Sequence, residues 1–286
     1  MIQEEKDRLG RLDKLRAAHI DPYPTSAKRT HTTAQVLEQF DKLETQKTSV
    51  QLVGRVRLLR RHGGLTFGQL QDQSGMIQIA MRKDVVGEEV YAFFHETIDV
   101  GDFLEVSGSV FLTKKGEKTL EVNAYRLISK AVLPLPEKWH GLSDVEARYR
   151  QRELDLLVNP EVRQRFIVRS KLISSLRSFL DKMDFLEVET PILQPIPGGA
   201  NARPFVTHHN ALDANLFLRI APELYLKRLI IGGFEKVYEI GRLFRNEGID
   251  QSHNPEFTTI ELYWAFVDKE EFIQALEDIM RHIVEQ

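Results

Sequence analysis

The sequence predicts an α+β/β chain: a small five-stranded barrel in the N-terminal half, then strands alternating with helices. Three observations carry this reading. From Val50 onward, apolar residues recur at every second position in short runs, the period of half-buried strands. After Asn159 they recur at helical spacing instead. Towards the end, two extended runs joined by a loop gather charged and aromatic side chains on one face.

Residues 3–18 predict a charged amphipathic helix, ended by the turn-forming Asp21-Pro22-Tyr23-Pro24. A second short helix is predicted over 32–43, so 1–48 reads as an N-terminal helical segment. The barrel is expected over 49–130. Its strands are the runs 50–57, 65–70, 76–81, 103–112 and 119–127, divided by Gly63-Gly64, Ser74-Gly75, Gly101-Asp102 and Lys115-Gly116. A helical stretch, 85–97, follows the third run. Five strands with a helix between the third and fourth is the pattern of an OB-fold, a barrel that commonly binds single-stranded nucleic acid. Residues 131–148, with Pro134 and Pro136, read as a linker.

The second domain is expected over 149–286. Asn159-Pro160-Glu161 combines an N-cap residue, a proline at the first helical position and an acid in the first turn. Val162, Phe166, Ile173, Leu176 and Leu180 carry that helix to about residue 183. The run 185–191 reads as a strand stopped by proline, and 216–220 as another. A helix starts at Pro222 and ends near Gly232-Gly233. The last helix opens with the capping box Asp268/Glu271 and continues through Phe272, Leu276, Ile279 and Ile283. No internal repeat or low-complexity segment interrupts the chain.

With 286 residues, 42% hydrophobic and 28% charged, the composition is that of a globular protein with a substantial core. A net charge of −3 means that any nucleic-acid surface must be a local patch. The absence of cysteine excludes disulfides and thiolate metal sites, and suits a reducing, cytoplasmic setting. No apolar run reaches the roughly 18 residues of a membrane span, so no membrane partner is expected. The charged N-terminus matches neither a signal nor a transit peptide.

Chemistry concentrates in Phe244-Arg245-Asn246-Glu247, then His253-Asn254-Pro255-Glu256-Phe257, then Glu261-Leu262-Tyr263. Alternation places Phe257, Thr259, Glu261 and Tyr263 on one strand face, with Thr258, Ile260, Leu262 and Trp264 on the other. Arg245 and Glu247 likewise fall together. One face suits a core. The opposite one suits a ligand.

These residues resemble the class II lysyl-tRNA synthetases, over nearly the whole chain from Asp21 to Phe266. The helix over 160–183 with the strand ending at Pro191 is similar to that family's motif 1, which builds a homodimer interface. Residues 238–266 are similar to motif 2. The stretch 197–205, Thr207-His208-His209-Asn210 and Leu218-Arg-Ile-Ala-Pro-Glu-Leu-Tyr-Leu-Lys227 resemble segments specific to the lysine enzymes. The resemblance implies the first part of the class II antiparallel sheet with flanking helices. It also implies lysine–tRNA ligase activity: ATP and lysine form lysyl-adenylate, and the lysyl group passes to tRNA(Lys). Arg245 would bridge the α-phosphate and lysine's carboxylate, as a planar guanidinium can. Glu247 would meet the adenine edge, His253 the terminal phosphate, and Phe257 would stack on the base. For lysine, the resemblance assigns Glu261 with Tyr263 to the ε-ammonium and Glu223 to the α-ammonium, and places Gly199 against the bound amino acid. In the barrel it assigns Phe67, Gln78 and Glu117 to anticodon bases; Arg57, with Arg55, Arg60 and Arg61 on or just after the first strand, adds the cations that a single-stranded anticodon loop needs. Where relatives carry Gly-Lys before the second strand, this chain has Gly63-Gly64.

The family's acidic Mg²⁺ ligands, a further lysine-binding carboxylate and motif 3 are expected beyond residue 286. The chain therefore reads as a fragment, inactive alone, with an open sheet edge. The alternative is a non-catalytic tRNA-binding or dimerising protein derived from a synthetase. A protein-modifying lysyl ligase is disfavoured by the barrel, and aspartate or asparagine specificity by Ala221-Pro222-Glu223-Leu224.

Overall fold

The computed structural model describes residues 2–135, 142, 144–250 and 252–285. These divide into two compact units, Met1–Val158 and Asn159–Gln286. In chain order the first holds α1 (Gln3–Ala17), α2 (Thr33–Glu38), α3 (Phe40–Thr45), β1 (Val50–His62), β2 (Leu65–Gln71), β3 (Met76–Arg82), α4 (Lys83–Val86), α5 (Glu88–Thr97), β4 (Phe103–Leu112), β5 (Lys118–Ser129), α6 (Val145–Arg150) and α7 (Arg152–Val158). The second holds α8 (Pro160–Lys182), β6 (Leu186–Glu187), β7 (Leu193–Gln194), β8 (Val206–His209), β9 (Ala214–Leu218), α9 (Glu223–Ile231), β10 (Lys236–Phe244), β11 (Glu256–Trp264) and α10 (Lys269–Val284).

The five strands of the first unit close into a barrel in the order β1-β2-β3-β5-β4, with only β3 and β5 parallel. Inward positions on all five strands form one apolar cluster, including Val56, Leu70, Leu104, Leu120 and Val122. The N-terminal helices join it: Leu15 from α1, Val36 from α2, and Phe40 and Leu43 from α3 are buried in the same cluster. The segment 1–48 therefore completes the barrel's core. The predicted helix over 85–97 is divided by Gly87, whose φ of +90° breaks the helical path between α4 and α5. The first strand runs five residues past its predicted end. The register shifts between Val56 and Leu58, so Arg57 is the extra residue of a bulge and the alternation there is interrupted. Of the expected linker, residues 136–141 and 143 lie outside the described residues, and α6 begins at Val145.

In the second unit β10 and β11 form an antiparallel hairpin, and β6 adds parallel to β10, giving the order β11-β10-β6. A second small sheet has the order β7-β9-β8. The helices α8 and α10 pack on one face of the hairpin. There Leu176, Leu180 and Ile279 meet Phe185 and Tyr238, with Ile240, Ile260, Leu262 and Trp264 packed around them. The start of α10 is capped as predicted, Asp268 Oδ1 accepting from Glu271 N at 2.9 Å. Among the described residues, no helix is long and apolar enough to cross a membrane.

Candidate functional site

Two sites emerge, one in each unit. On the outside of the barrel, alternation and register gather three rows of side chains: His62, Leu65 and Arg82; Arg60, Phe67 and Ala80; Leu58, Gln69 and Gln78. These rows line a cavity of about 740 Å³, closed at one end by the β4–β5 turn with Lys114, Lys115 and Glu117. Phe67, Gln78 and Glu117 are thus brought together. Phe67 is half-buried, with Arg60 opposite it across the ladder and His62 edge-on at 6.5 Å between ring centroids. Gln78 donates its amide N–H to Thr119 Oγ1 at 2.8 Å, which leaves the amide oxygen to accept from a ligand. An aromatic platform among cations and amides suits a single nucleic-acid strand. Arg57 lies elsewhere. Its position in the bulge turns it from the cavity, and its guanidinium donates to the Leu157 carbonyl at 3.0 Å. Arg60, on the next face-sharing positions, takes its place beside Phe67.

The second site is the hairpin face opposite α8 and α10. Pairing of Glu239 with Glu261, Gly241 with Thr259 and Leu243 with Phe257 puts these side chains on that face, together with Tyr263. Strand β10 ends at Phe244, yet Arg245 N still donates to Pro255 O at 2.8 Å, so Arg245 continues the ladder by one step. Its guanidinium carbon lies 5.1 Å from the Phe257 ring centroid, a cation–π contact. Its Nε is buried without a hydrogen-bond partner among the described residues. A buried donor left unpaired costs free energy until an acceptor arrives.

Along β11 from Phe257, a distance of roughly 13 Å at strand rise, stands Glu261. Tyr263 donates to it at 3.4 Å. Burial, with the neighbouring carboxylates Glu223 and Glu239, pushes the Glu261 carboxyl above the usual range, and Arg219 opposes that rise. Burial and the Glu261 charge also raise the Tyr263 phenol. Glu223, in the first turn of α9, pairs with Lys227 one helical turn on. Gly199 stands against it: at a φ of +86°, an added Cβ would come within 2.8 Å of the Glu223 Cβ and 3.1 Å of the Ala221 Cβ. Only glycine lets that turn approach α9 so closely.

The stretch 197–205 is held at its far end as well. Arg203 O accepts from Asn246 N at 2.7 Å, and Arg203 N reaches Glu247 Oε1 at 3.4 Å. Glu247 therefore sits in the loop after β10. His253 is exposed and bonded through Nδ1 to Asp250 at 2.8 Å. The Ser252 amide and the His253 side chain hold the Asp250 carboxyl down to about 2.

Two family profiles match the chain. Residues 50–128 match an OB-fold nucleic acid binding domain, and residues 144–286 match the class II tRNA synthetases (D, K and N). The chain belongs to the class II tRNA synthetases. Within that family it is similar to the lysine–tRNA ligase of Carboxydothermus hydrogenoformans, 53% identical over 98% of this chain and 57% of the relative. The lysine–tRNA ligase of Magnetococcus marinus is 52% identical over 99% and 58%, and that of Aquifex aeolicus 55% identical over 88% and 42%. The chain thus spans about half the length of the curated relatives it matches, from 42% to 58%.

Two features beside the sequence-predicted residues appear only in the structure. Asp250, which orients His253, was signalled only by a turn-forming Asp-x-Ser-His. The buried pair Arg219–Glu239 is not legible as a pair, because an acid and a base 20 residues apart reveal no contact until β9 and β10 are placed.

Proposed function

We propose that the whole protein is a lysine–tRNA ligase, which activates lysine with ATP and transfers the lysyl group to the 3′ end of tRNA(Lys). The observation that carries this reading is the hairpin face: a guanidinium with an unpaired donor stands at one end, and at the other a carboxylate that no cation pairs among the described residues. The first suits two anions, the second an ammonium. In the activation step a lysine carboxylate oxygen attacks the α-phosphorus, and the bond to pyrophosphate breaks, its electron pair leaving with pyrophosphate. No covalent protein nucleophile is required. Arg245 would hold the α-phosphate and the carboxylate in line and offset their charge. Phe257 would stack on adenine, Glu247 would accept from its amino edge, and His253 would meet the terminal phosphate. Glu261 with Tyr263 would take the ε-ammonium, and Glu223 the α-ammonium in exchange for Lys227. Gly199 would leave room for that exchange.

Among the described residues, no group of three His, Asp or Glu side chains is arranged to hold a metal ion. The barrel cavity would take the anticodon, with a base stacked on Phe67 and its edges met by Gln78 and Glu117. Homodimerisation through α8 belongs to the same reading. That helix leaves Phe166, Val168 and Leu172 exposed, and Val168 and Leu172 line an apolar groove with Ile240 and Ile260. A cytoplasmic setting fits a chain without cysteine.

Exchange of pyrophosphate into ATP by the full-length protein tests the assignment. It should require lysine, and Arg245→Ala should lower it by roughly 10²–10³-fold, as loss of a charge-stabilising donor does. Exchange stimulated by aspartate and not by lysine would refute it.

A further inference from the structure

The sheet register sets Glu239 directly across from Glu261, on the same face. Like charges in such cross-strand positions repel, their Cβ atoms lying about 5 Å apart. A counter-charge beside them is Arg219, which is 2% exposed. That guanidinium is held from several sides: its Nε donates to the Arg242 carbonyl at 2.9 Å, and its Nη1 to the Thr190 carbonyl, the Thr190 hydroxyl and the Glu239 carboxylate. Thr190 in turn donates to Glu239 through its hydroxyl at 2.7 Å. Gly241 makes the placement possible, since a Cβ there would fall 2.1 Å from Arg219 Nη2. The guanidinium therefore lies on the site face, over Gly241 and beside Glu239.

Three carboxylates and two cations meet here, and they pair unequally. Glu223 holds Lys227 and Glu239 holds Arg219, while Glu261 has the Tyr263 hydroxyl. An arginine fork binds a carboxylate through two hydrogen bonds and is more weakly hydrated than an ammonium, so a released Arg219 would outcompete lysine for Glu261. We infer that Arg219 and Glu239 are positioning residues of the lysine pocket: Glu239 keeps the Arg219 guanidinium occupied, and Glu261 stays open to the substrate's ε-ammonium. This rests on the reading of Glu261 as that ammonium's partner. Arg219 still acts at a distance, its positive charge helping Glu261 remain ionised among the carboxylates of Glu223 and Glu239.

The test compares Glu239→Gln with the double variant Arg219→Met/Glu239→Gln in the full-length protein. The single variant should raise the lysine KM by about tenfold or more, the scale of one close charge pair, and leave the ATP KM unchanged. The double variant removes the competing guanidinium along with its partner, a replacement buried pairs often tolerate, and should recover most of the lysine KM. A double variant as impaired as the single one, or a single variant without effect, overturns the inference. NMR titration of the Glu261 carboxyl reads the same arrangement without substrate. In Glu239→Gln it should fall below the ordinary value of 4.5, and in the double variant it should return above it. A Glu261 that stays above that value in both variants overturns the inference. If the wild-type protein shows no lysine-dependent exchange, the lysine reading falls and the titration alone decides whether Glu239 keeps Arg219 off Glu261.

Discussion

The two units use the two faces of a sheet in different ways. In the first, five strands close on themselves, and inward side chains such as Val56, Leu104 and Leu120 are wholly buried. The outside of the barrel carries a row of amides, cations and aromatic rings, Phe67 and Phe111 among them. In the second, β10 lies between β11 and β6 among the described residues. Helices cover one face. The other carries buried charge: Arg219 against Glu239, with Glu261 alongside. The barrel carries its apolar cluster inside, whereas among the described residues the hairpin packs one face on helices and keeps charged side chains on the other.

Changes placed in each unit should have unequal effects. The largest is expected where barrel strands approach most closely. A Cβ on Gly108 would lie 1.8 Å from the Glu121 carbonyl oxygen, a backbone atom that cannot step aside. Gly108→Ala should cost the first unit more than about 4 kcal/mol, the range reached by severe core disruption. Denaturant unfolding should show that unit's transition lost while the second unit's remains. In the second unit Leu180, fully buried against Phe185 and Tyr238, offers the matching test. Leu180→Ala should cost about 3 kcal/mol and move only the second transition. A shift in both would mean that the units do not unfold independently. The smallest effect concerns protons. Because the Glu261 carboxyl titrates above the usual range, it is the protonated form that burial favours. Lysine affinity should therefore be full near neutral pH and decline as the pH drops through that raised value, before an ordinary carboxylate would protonate. A lysine KM that stays flat down to the ordinary carboxylate value of 4.5 would remove Glu261 from the role.

The same contrast explains what the sequence revealed. Barrel strands alternate over seven or more residues and are punctuated by turn residues such as Gly63-Gly64, so their number and order could be read directly. The start of α8 at Pro160 and the cap at Asp268 follow local rules, and the face shared by Phe257, Glu261 and Tyr263 needs only alternation. Bulges are less legible. Arg57 looked equivalent to Arg60 until the register shift turned it towards Leu157. Strands β7 and β8 span two and four residues, too short for any period to show. The Arg219–Glu239 pair depends wholly on tertiary placement, and the one trace in sequence is a glycine, Gly241, within a strand.

The division of labour between the two units can be tested with one protein, Phe67→Ala in the full-length chain, assayed for lysine-dependent ATP–pyrophosphate exchange alongside tRNA binding. Losing a stacking platform should weaken tRNA binding by roughly 1–3 kcal/mol and leave exchange at the wild-type rate. A parallel fall in both would contradict the account, because recognition on the barrel and activation on the hairpin would then not be separate.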